Sequence, residues 1–180
     1  MSNSKLVLLD ADVIIHFFKG GKLSLIPEIV SPHKLCLLKA VYDEILPGTL
    51  KSDVDKLITF KLIEEAEITD NDEIYFEALE IGRNAAIGEG EAACLAYARF
   101  TNKIIASSNL KDITDYCNKH SITYLTTLDL LAIAKEKGLL TKDECNQFTV
   151  TVRKKNSNIK VIDIDHHIAT DGSKMHIFND

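Results

Sequence analysis

The sequence predicts an α/β protein, a three-layer α/β/α sandwich built around a mainly parallel central sheet. Short apolar runs that alternate with helical patterns are the main basis for this prediction. The first run, Leu6 to Leu9, is apolar throughout, as expected for a strand that is buried on both faces of a parallel sheet. A helix rich in small residues at 88–100 and acidic residues that follow the strands complete the pattern.

The remaining strands and helices follow from the same periodicities. Further runs predict strands at 35–38, 62–68, 103–106 and 122–125, and alternating polarity predicts an edge strand at 159–165. Helical spacing predicts helices at 23–30, 41–46, 72–82, 88–100, 110–119, 128–137 and 141–150. Gly82 is expected to end its helix, and Thr141 with Glu144 forms the capping-box pattern that begins the last helix.

Length and composition indicate one domain with a short extension. We expect a domain over residues 1–150 and a C-terminal extension over 151–180 that contains the edge strand and a flexible tail. Apolar residues make up 46% of the chain and charged residues 27%, which is the balance of a soluble globular protein. The sequence has neither the roughly 20 apolar residues of a membrane span nor the pattern of a signal peptide.

The cysteines favour a reducing compartment. They occur singly, without a CxxC pair, and mostly inside apolar or helical patterns, at Cys36, Cys94, Cys117 and Cys145. Reduced thiols in the core are therefore expected, rather than a disulfide or zinc framework. Together with the lack of a membrane segment, this pattern predicts a cytoplasmic protein.

The net charge of −6 argues mildly against a large non-specific nucleic-acid surface. Carboxylates gathered around a divalent metal ion would account for part of this negative excess. Basic residues in the C-terminal third form a candidate local patch at Arg153, Lys154, Lys155 and Lys160, although such a run is usually a solvated face. The charge balance is thus compatible with a nucleic-acid enzyme without indicating one.

Two acids follow predicted strands, at the sheet edge where parallel α/β proteins place their sites. Asp10 stands directly after the first strand, where it is either a site residue or an ordinary helix N-cap. Glu44 lies one turn into the helix after the second strand, and a solvated helix position is its alternative. Each residue alone leaves both interpretations open.

Glu91 carries the sharpest signal because it begins a helix that otherwise contains Ala, Cys, Leu and Tyr. Its carboxylate is expected to point toward protein, and a buried carboxylate is usually paired or bound to metal. A favourable interaction with the helix dipole is the alternative, and it is worth only roughly 0.3–1 kcal/mol. Glu89, between two glycines, fits this helper role better.

Carboxylates from three strand–helix junctions suit hard cations such as Mg²⁺ or Mn²⁺. Such a site supports phosphodiester hydrolysis, in which the metal polarises phosphoryl oxygens and activates a water molecule. No side-chain nucleophile is required. The histidines are expected to stay outside this chemistry, since His16 lies on an apolar segment and the adjacent His166 and His167 are expected in a solvated tail.

Taken in order, these segments resemble the PIN-domain nuclease family. The similarity covers about residues 5–150 and rests on LVLLDADVII at 6–15, V-x-x-E-I-L at 41–46, GEGEAACLAYA at 88–98, KIIASSN at 103–109 and ITYLTTLDLLAIAKEKGLLTKDE at 122–144. It implies a PIN-like fold in which Asp10, Glu44 and Glu91 are the catalytic, metal-binding acids. Mg²⁺ or Mn²⁺ is the implied cofactor.

The sequence departs from the family pattern after the strand at 103–106. Relatives usually carry one or two Asp there, whereas this chain has Ser107, Ser108 and Asn109. Asn109 or Ser108 is expected to offer a neutral oxygen to the metal, and Asp112, one helical turn further on, is the alternative source of charge. Asp12 either supports the metal through water or caps the following helix.

The resemblance implies a metal-dependent endoribonuclease that cuts RNA and, by similarity, the toxin of a toxin–antitoxin pair. It also implies a small antitoxin partner that enters the acidic cleft, and pairing as a homodimer. One alternative is a catalytically weakened PIN-like module that binds RNA or protein, supported by the residues at 107–109. A phosphatase with an aspartyl nucleophile at Asp10 is another, but it would need a later Asp–Asp pair that the sequence lacks.

Overall fold

The computed structural model describes residues 4–68, 72–85 and 87–178. Within these residues five strands pair in parallel in the order β3–β2–β1–β4–β5. The strands are β1 (Leu6–Leu9), β2 (Lys34–Leu38), β3 (Ile63–Ala66), β4 (Ile104–Ala106) and β5 (Tyr124–Leu125). The chain proceeds outward from β1 in both directions, so the order reverses between β1 and β4. Ligand sites of α/β proteins lie at such a reversal.

Helices cover both faces of the sheet. In the described part of the chain they are α1 (Ala11–Lys19), α2 (Ile26–Val30), α3 (Lys39–Glu44), α4 (Thr49–Thr59), α5 (Asp72–Ala85), α6 (Glu89–Thr101), α7 (Leu110–His120), α8 (Thr127–Glu136), α9 (Lys142–Lys154) and α10 (Ile164–Asp171). One helical layer gathers α1, α2, α8, α9 and α10, and the other gathers α5 and α6 with α3 and α7. This is the three-layer sandwich that the sequence predicts.

The core lies on both sides of β1 and β2. Val7, Leu8 and Leu9 have no exposed surface, which explains why this strand is apolar at every position. Helix α6 is buried along most of its length because its small side chains allow it to lie close to the sheet and to α5. A carboxylate at the start of such a helix is consequently held inside the protein.

The expectation that Gly82 ends its helix is wrong, because α5 continues to Ala85. A Cβ atom built at position 82 would lie 3.9 Å from the Cβ atom of Ala92, so Gly82 faces the close packing between α5 and α6. Glycine inside a helix costs roughly 0.5–1 kcal/mol relative to alanine. The helix nevertheless continues through Gly82 to Ala85.

The predicted edge strand at 159–165 is also wrong: these residues, all of them described, contain no strand. Ile159 is buried on an irregular segment, and Ile164 is buried as the first residue of α10. The Asp163 side chain accepts hydrogen bonds from the backbone N–H groups of Asp165 and His166, at 3.0 and 3.1 Å, and so caps α10. The apolar alternation thus reflects two anchoring contacts, the second of them inside a helix.

The C-terminal extension is packed rather than solvated. His167, which was expected in a solvated tail, is buried in α10, where its Nδ1 lies 2.7 Å from the carboxylate of Asp171. Further along, Lys174 donates to Asp129 at 3.0 Å, and Phe178 packs on the His33 ring. Helix α9 also crosses position 150, and the domain boundary at that position stays a prediction.

The four cysteines are all buried and unpaired, as the sequence predicts. Of the helices that the structure describes, none combines the length and the apolar character needed to span a bilayer.

Candidate metal centre

Asp10 lies at the centre of the sheet's carboxyl edge. Its backbone N–H donates to the carbonyl of Ala106 at 3.0 Å and thereby joins the ends of β1 and β4. Its side chain accepts from the Ala11 N–H at 2.7 Å and caps α1, so the helix-cap interpretation describes part of its role. Burial raises the pKa of Asp10, the Ser107 hydroxyl opposes that rise by hydrogen bonding, and the charge of Glu44 adds to it.

Glu91 is the buried acid that the sequence pattern predicts. It lies in the first turn of α6 and is 7% exposed. Its Oε1 atom is buried and has no hydrogen-bond partner. Burial, followed by the charges of Asp10, Asp112 and Asp12, raises its pKa to about 8. The carboxylates of Glu91, Asp10, Asp112 and Asp12 therefore form one cluster whose charges interact.

Glu44 reaches this cluster from the last residue of α3, where it is largely exposed. Its Oε1 atom accepts a hydrogen bond of 2.7 Å from the backbone N–H of Gly90. The Gly88 residue at the N-cap of α6 has no side chain to satisfy the free N–H groups of that helix. Glu44 supplies this acceptor from another element, which holds its carboxylate at the start of α6, where its charge acts on Asp10.

The two glycines of the G-E-G-E segment allow this approach. A Cβ atom at Gly90 would lie 2.9–3.0 Å from atoms of the Glu44 carboxylate, closer than real Cβ contacts come. At Gly88 the corresponding distance to Glu44 Oε1 is 3.3 Å, which is also tight. Neither glycine has a positive φ. Lack of a side chain, rather than backbone freedom, is what these positions require.

Asp12 joins the cluster from the first turn of α1. Its Oδ2 atom accepts a hydrogen bond of 2.7 Å from the backbone N–H of Ser108, whereas its buried Oδ1 atom has no partner. Burial and the charge of Asp10 raise its pKa to about 7. Asp10 rather than Asp12 is the N-cap of α1, and a supporting role for Asp12 at a metal stays a prediction.

The Ser108 hydroxyl is directed toward α8. It donates to Thr127 Oγ1 at 2.8 Å and accepts from the Thr127 N–H at 2.9 Å. Thr127 Oγ1 also lies 2.9 Å from Nδ1 of His16, whose pKa burial lowers to about 4. His16 is thus a neutral, packed residue near pH 7, as expected from its apolar surroundings. The buried chain His16–Thr127–Ser108 holds the backbone N–H that binds Asp12.

Asn109 and Asp112 lie after β4, where the sequence departs from the family pattern. The Asn109 Nδ2 group donates to Glu91 Oε2 at 3.2 Å and to Asp112 Oδ2 at 2.7 Å. The amide nitrogen, rather than the oxygen, therefore faces the cluster. Asp112 is half-buried in the first turn of α7 and contributes its charge to the raised pKa of Glu91.

Glu89 lies apart from these acids. It is exposed as the first residue of α6 and lines a surface groove of about 670 Å³ between α3, α5 and α6. A carboxylate at the first position of a helix interacts favourably with the helix dipole, as the helper interpretation predicts.

Sequence reasoning missed Thr127, and it gave no role to Ser107, whose hydroxyl hydrogen-bonds to Asp10. The T-T-L-D segment after β5 was the available signal, because its first Thr forms a capping box with Asp129. That box places Thr127 at the first position of α8, beside the segment after β4. The hydrogen bond that links it to Ser108 depends on the packing of two distant segments, which the sequence pattern does not encode.

Carboxylates dominate the electrostatics of this cluster within the described residues. No cation is among the described groups that shift the pKa values of Asp10, Asp12 and Glu91. Within the described ranges, no three His, Cys, Asp or Glu side chains are already drawn together closely enough to hold a metal ion. Several carboxylates thus share one corner, with two buried oxygen atoms that have no partner.

The family profile of DUF3368, described as a PIN domain, matches residues 6–159. The chain therefore belongs to the PIN-domain family, whose members are generally nucleases that act with divalent metal ions. No curated protein and no solved structure matches the chain significantly.

Proposed function

We propose that this protein is a metal-dependent endoribonuclease that hydrolyses RNA phosphodiester bonds with a metal-activated water molecule. The observation that carries the proposal is the pair of buried, unpartnered oxygens, Glu91 Oε1 and Asp12 Oδ1, beside the buried carboxylate of Asp10. Buried carboxylates without partners are costly, so such groups are usually paired or bound to a cation. Family membership supports the same chemistry.

The donor set fits a hard divalent cation, because carboxylate oxygens are the ligands that Mg²⁺ and Mn²⁺ prefer. We assign Asp10, Glu44 and Glu91 as the residues that hold the ion and catalyse the reaction, with Asp112 and Asn109 completing the shell. A bound cation would polarise a phosphoryl oxygen and lower the pKa of the attacking water.

The chain's own residues supply orientation. The Gly90 N–H fixes one oxygen of Glu44, and the Ser108 N–H fixes one oxygen of Asp12. Because Asp12 Oδ1 has no other partner, we assign it to hold the attacking water. Ser108 acts through its backbone in this arrangement, and Glu89 assists only through the start of α6.

The finer roles rest on the family resemblance and belong to the same proposal. We propose RNA as the substrate, a cytoplasmic location, and a role as the toxin of a toxin–antitoxin pair. A small antitoxin would cover the acidic cleft, where a basic side chain can neutralise the uncompensated carboxylates. Pairing as a homodimer is part of the same expectation.

A second candidate function is a PIN-like module that binds RNA or protein but cuts poorly. The orientation of Asn109 favours it, since an amide nitrogen donates to Glu91 where relatives usually carry a carboxylate. Fewer negative charges around the centre would hold a cation less tightly. The two candidate functions differ in how tightly the protein binds a divalent metal ion at physiological metal concentrations.

Thermal unfolding with Mn²⁺ tests the proposed centre. Ligands that bind only the folded state raise its stability, so Mn²⁺ should raise the Tm of the natural chain. Glu91→Gln should abolish that rise, and Glu89→Gln, an exposed change on the same helix turn, should preserve it. An equal Mn²⁺ response in the Glu91 variant would remove Glu91 from the proposed ligands.

A further inference from the structure

The end of the described chain, residues 173–178, forms a C-terminal strap that lies beyond the family match at 6–159. The side chain of Lys174 attaches this strap to the start of α8. Its Nζ atom donates to Asp129 Oδ2 at 3.0 Å and to the carbonyl of Tyr124 at 2.9 Å, and it lies 4.4 Å from the centre of the Tyr124 ring. A segment outside the family match thus contacts the turn that leads from β5 into α8.

Asp129 carries this contact to the start of the helix. Its side chain is 9% exposed, and its Oδ2 atom also accepts from the N–H and the hydroxyl of Thr126, each at 2.7 Å. The Thr126 hydroxyl oxygen in turn accepts from the Asp129 N–H at 3.1 Å, which completes the capping box. Removal of one partner of a buried ion pair leaves the other charge uncompensated. Lys174 therefore holds the carboxylate on which the first turn of α8 depends.

The start of α8 is bonded to the acidic cluster. Thr127, the first residue of α8, donates its N–H to Ser108 Oγ at 2.9 Å, and its own hydroxyl oxygen accepts from the Ser108 hydroxyl at 2.8 Å. The Ser108 N–H donates to Asp12 Oδ2 at 2.7 Å. Since Thr126 and Thr127 are neighbours in the chain, a continuous series of contacts joins Lys174 to Asp12.

We propose that Lys174 is a positioning residue for the acidic cluster. It fixes the start of α8, which in turn fixes the Ser108 N–H that holds Asp12. Lys174 acts through these intermediates, because its Nζ atom is bonded to Asp129 and Tyr124. The effect on RNA cleavage rests on the proposed function, whereas the effect on the Ser108 N–H does not. The support of the site then includes a residue from outside the family match.

The other end of the strap offers a matched control. The Phe178 ring lies with its centre 5.0 Å from that of the His33 ring, and Lys137 Nζ lies 4.8 Å from the centre of the Phe178 ring. Lys137 also donates to the carbonyl of Ile29 at 2.8 Å. It is the C-cap residue of α8, at the opposite end of the helix from Asp129. Lys137→Met should therefore loosen the strap without loosening the start of α8.

NMR of the Ser108 backbone amide tests this link in the protein alone, without RNA. A short hydrogen bond to a carboxylate moves an amide proton downfield, and a lower global stability does not move a native-state resonance. Lys174→Met should shift the Ser108 amide proton upfield, because a looser start of α8 lengthens its bond to Asp12. Lys174→Arg, which keeps a charged donor, should hold the resonance near its natural position, and Lys137→Met should leave it in place.

RNA cleavage supplies the second measurement. Lys174→Met should lower kcat by up to roughly 100-fold and leave KM unchanged, since a shift of about 1 Å in a supporting group acts on the reaction more than on binding. Lys137→Met should change neither constant. Should Lys174→Met not fold, Lys174→Gln, which keeps an uncharged donor, gives the same comparison with smaller effects.

The two measurements fail independently. If the Ser108 resonance of a folded Lys174→Met or Lys174→Gln protein stays in place, or if Lys137→Met shifts it equally, Lys174 is not a positioning residue, whether or not RNA is cleaved. If the resonance shifts as expected and the natural chain cuts no RNA, the positioning role stands and the proposed function fails.

Discussion

The carboxylate of Glu44, at the end of α3, accepts a hydrogen bond of 2.7 Å from the backbone N–H of Gly90, near the start of α6. One side chain thus provides the cap that Gly88 lacks and extends the cluster that contains Asp10. The approach depends on the absence of a Cβ atom at position 90. Geometry at the centre is therefore sensitive to a single methyl group.

Gly90→Ala should displace Glu44 and weaken Mn²⁺ binding. The new Cβ atom would lie 2.9–3.0 Å from the carboxylate, so the flexible end of Glu44 must shift and its hydrogen bond to the Gly90 N–H should weaken. Loss of a helix cap typically costs about 0.5–2 kcal/mol, which a denaturant titration can measure. A Mn²⁺ titration of the same variant should show reduced affinity.

Gly82→Ala is the matched control, because its Cβ atom would meet only Ala92, at 3.9 Å. Inside helix α5 this change should stabilise the fold by roughly 0.5–1 kcal/mol and leave metal affinity intact. A double variant, Gly90→Ala with Glu44→Ala, removes the obstacle, so the two costs should not add. Additive losses would show that Gly90 acts independently of Glu44.

The metal-free protein should lose stability as the pH rises from about 4 to about 8. The pKa of Glu91 rises from 4.5 to about 8 and that of Asp12 from 3.8 to about 7, so the folded chain keeps protons that the unfolded chain releases. The free energy of unfolding then falls with pH across this window and levels off above it. Glu91→Gln should flatten the fall, and Glu89→Gln should not.

Metal should reverse this dependence, because the cation competes with protons for the same oxygens. The rise in Tm caused by Mg²⁺ should be larger at pH 8 than at pH 5, as calorimetry at the two pH values can show. Were the natural chain and Glu91→Gln to lose stability equally between pH 4 and pH 8 without metal, the raised pKa assigned to Glu91 would be refuted.

Thr127→Val should affect both stability and metal affinity. The change removes the hydroxyl oxygen that accepts from Ser108 and pairs with His16 Nδ1, so the buried His16 nitrogen loses this partner, at a typical cost of about 1–3 kcal/mol, while the backbone N–H of residue 127 still donates to Ser108. Since the Ser108 N–H holds Asp12, Mn²⁺ affinity should fall as well.

Thr149→Val provides the comparison for this prediction. Thr149 is as fully buried as Thr127, and its hydroxyl donates to the Asn146 carbonyl at 2.9 Å within α9. Its substitution should cost stability but leave Mn²⁺ affinity unchanged. Equal Mn²⁺ affinities in the two valine variants would show that the Thr127 network is only structural.

Strand and helix positions near the centre could be predicted because burial there leaves a strong pattern. The apolar run before Asp10 and the small residues after Glu91 both report contact with the sheet interior. The same reasoning predicted a strand at 159–165, and that prediction is wrong. Two buried isoleucines in this segment resemble the alternation of a strand, but Asp163 is the N-cap of a helix. Local periodicity indicates which residues are buried, and it does not tell which segment covers them.

The acids could be predicted from the sequence more readily than the orientation of the Asn109 amide. Asp10 follows β1 and Glu44 ends the helix after β2, whereas Glu91 lies in α6 after the helix α5, so the expectation of a strand–helix junction is wrong for Glu91. The charge of Asp10 nevertheless acts on Glu91, and that of Glu44 acts on Asp10. The direction of the Asn109 amide depends instead on the distance between α6 and α7. The packing of α6 against α7 belongs to the tertiary structure, and the spacing of residues along the sequence does not predict it.

RNA cleavage measured across a Mn²⁺ titration decides whether the protein is the metal-dependent ribonuclease that we propose. Labelled single-stranded RNA is incubated with the natural chain, Asp10→Asn, Glu91→Gln and the control Glu89→Gln across a Mn²⁺ titration. The natural chain and the control should cleave only with metal, and the other two should lose more than the roughly 10–100-fold typical of a lost supporting residue. Cleavage that persists in chelator or in Asp10→Asn, or no cleavage at any metal concentration, would contradict the claim.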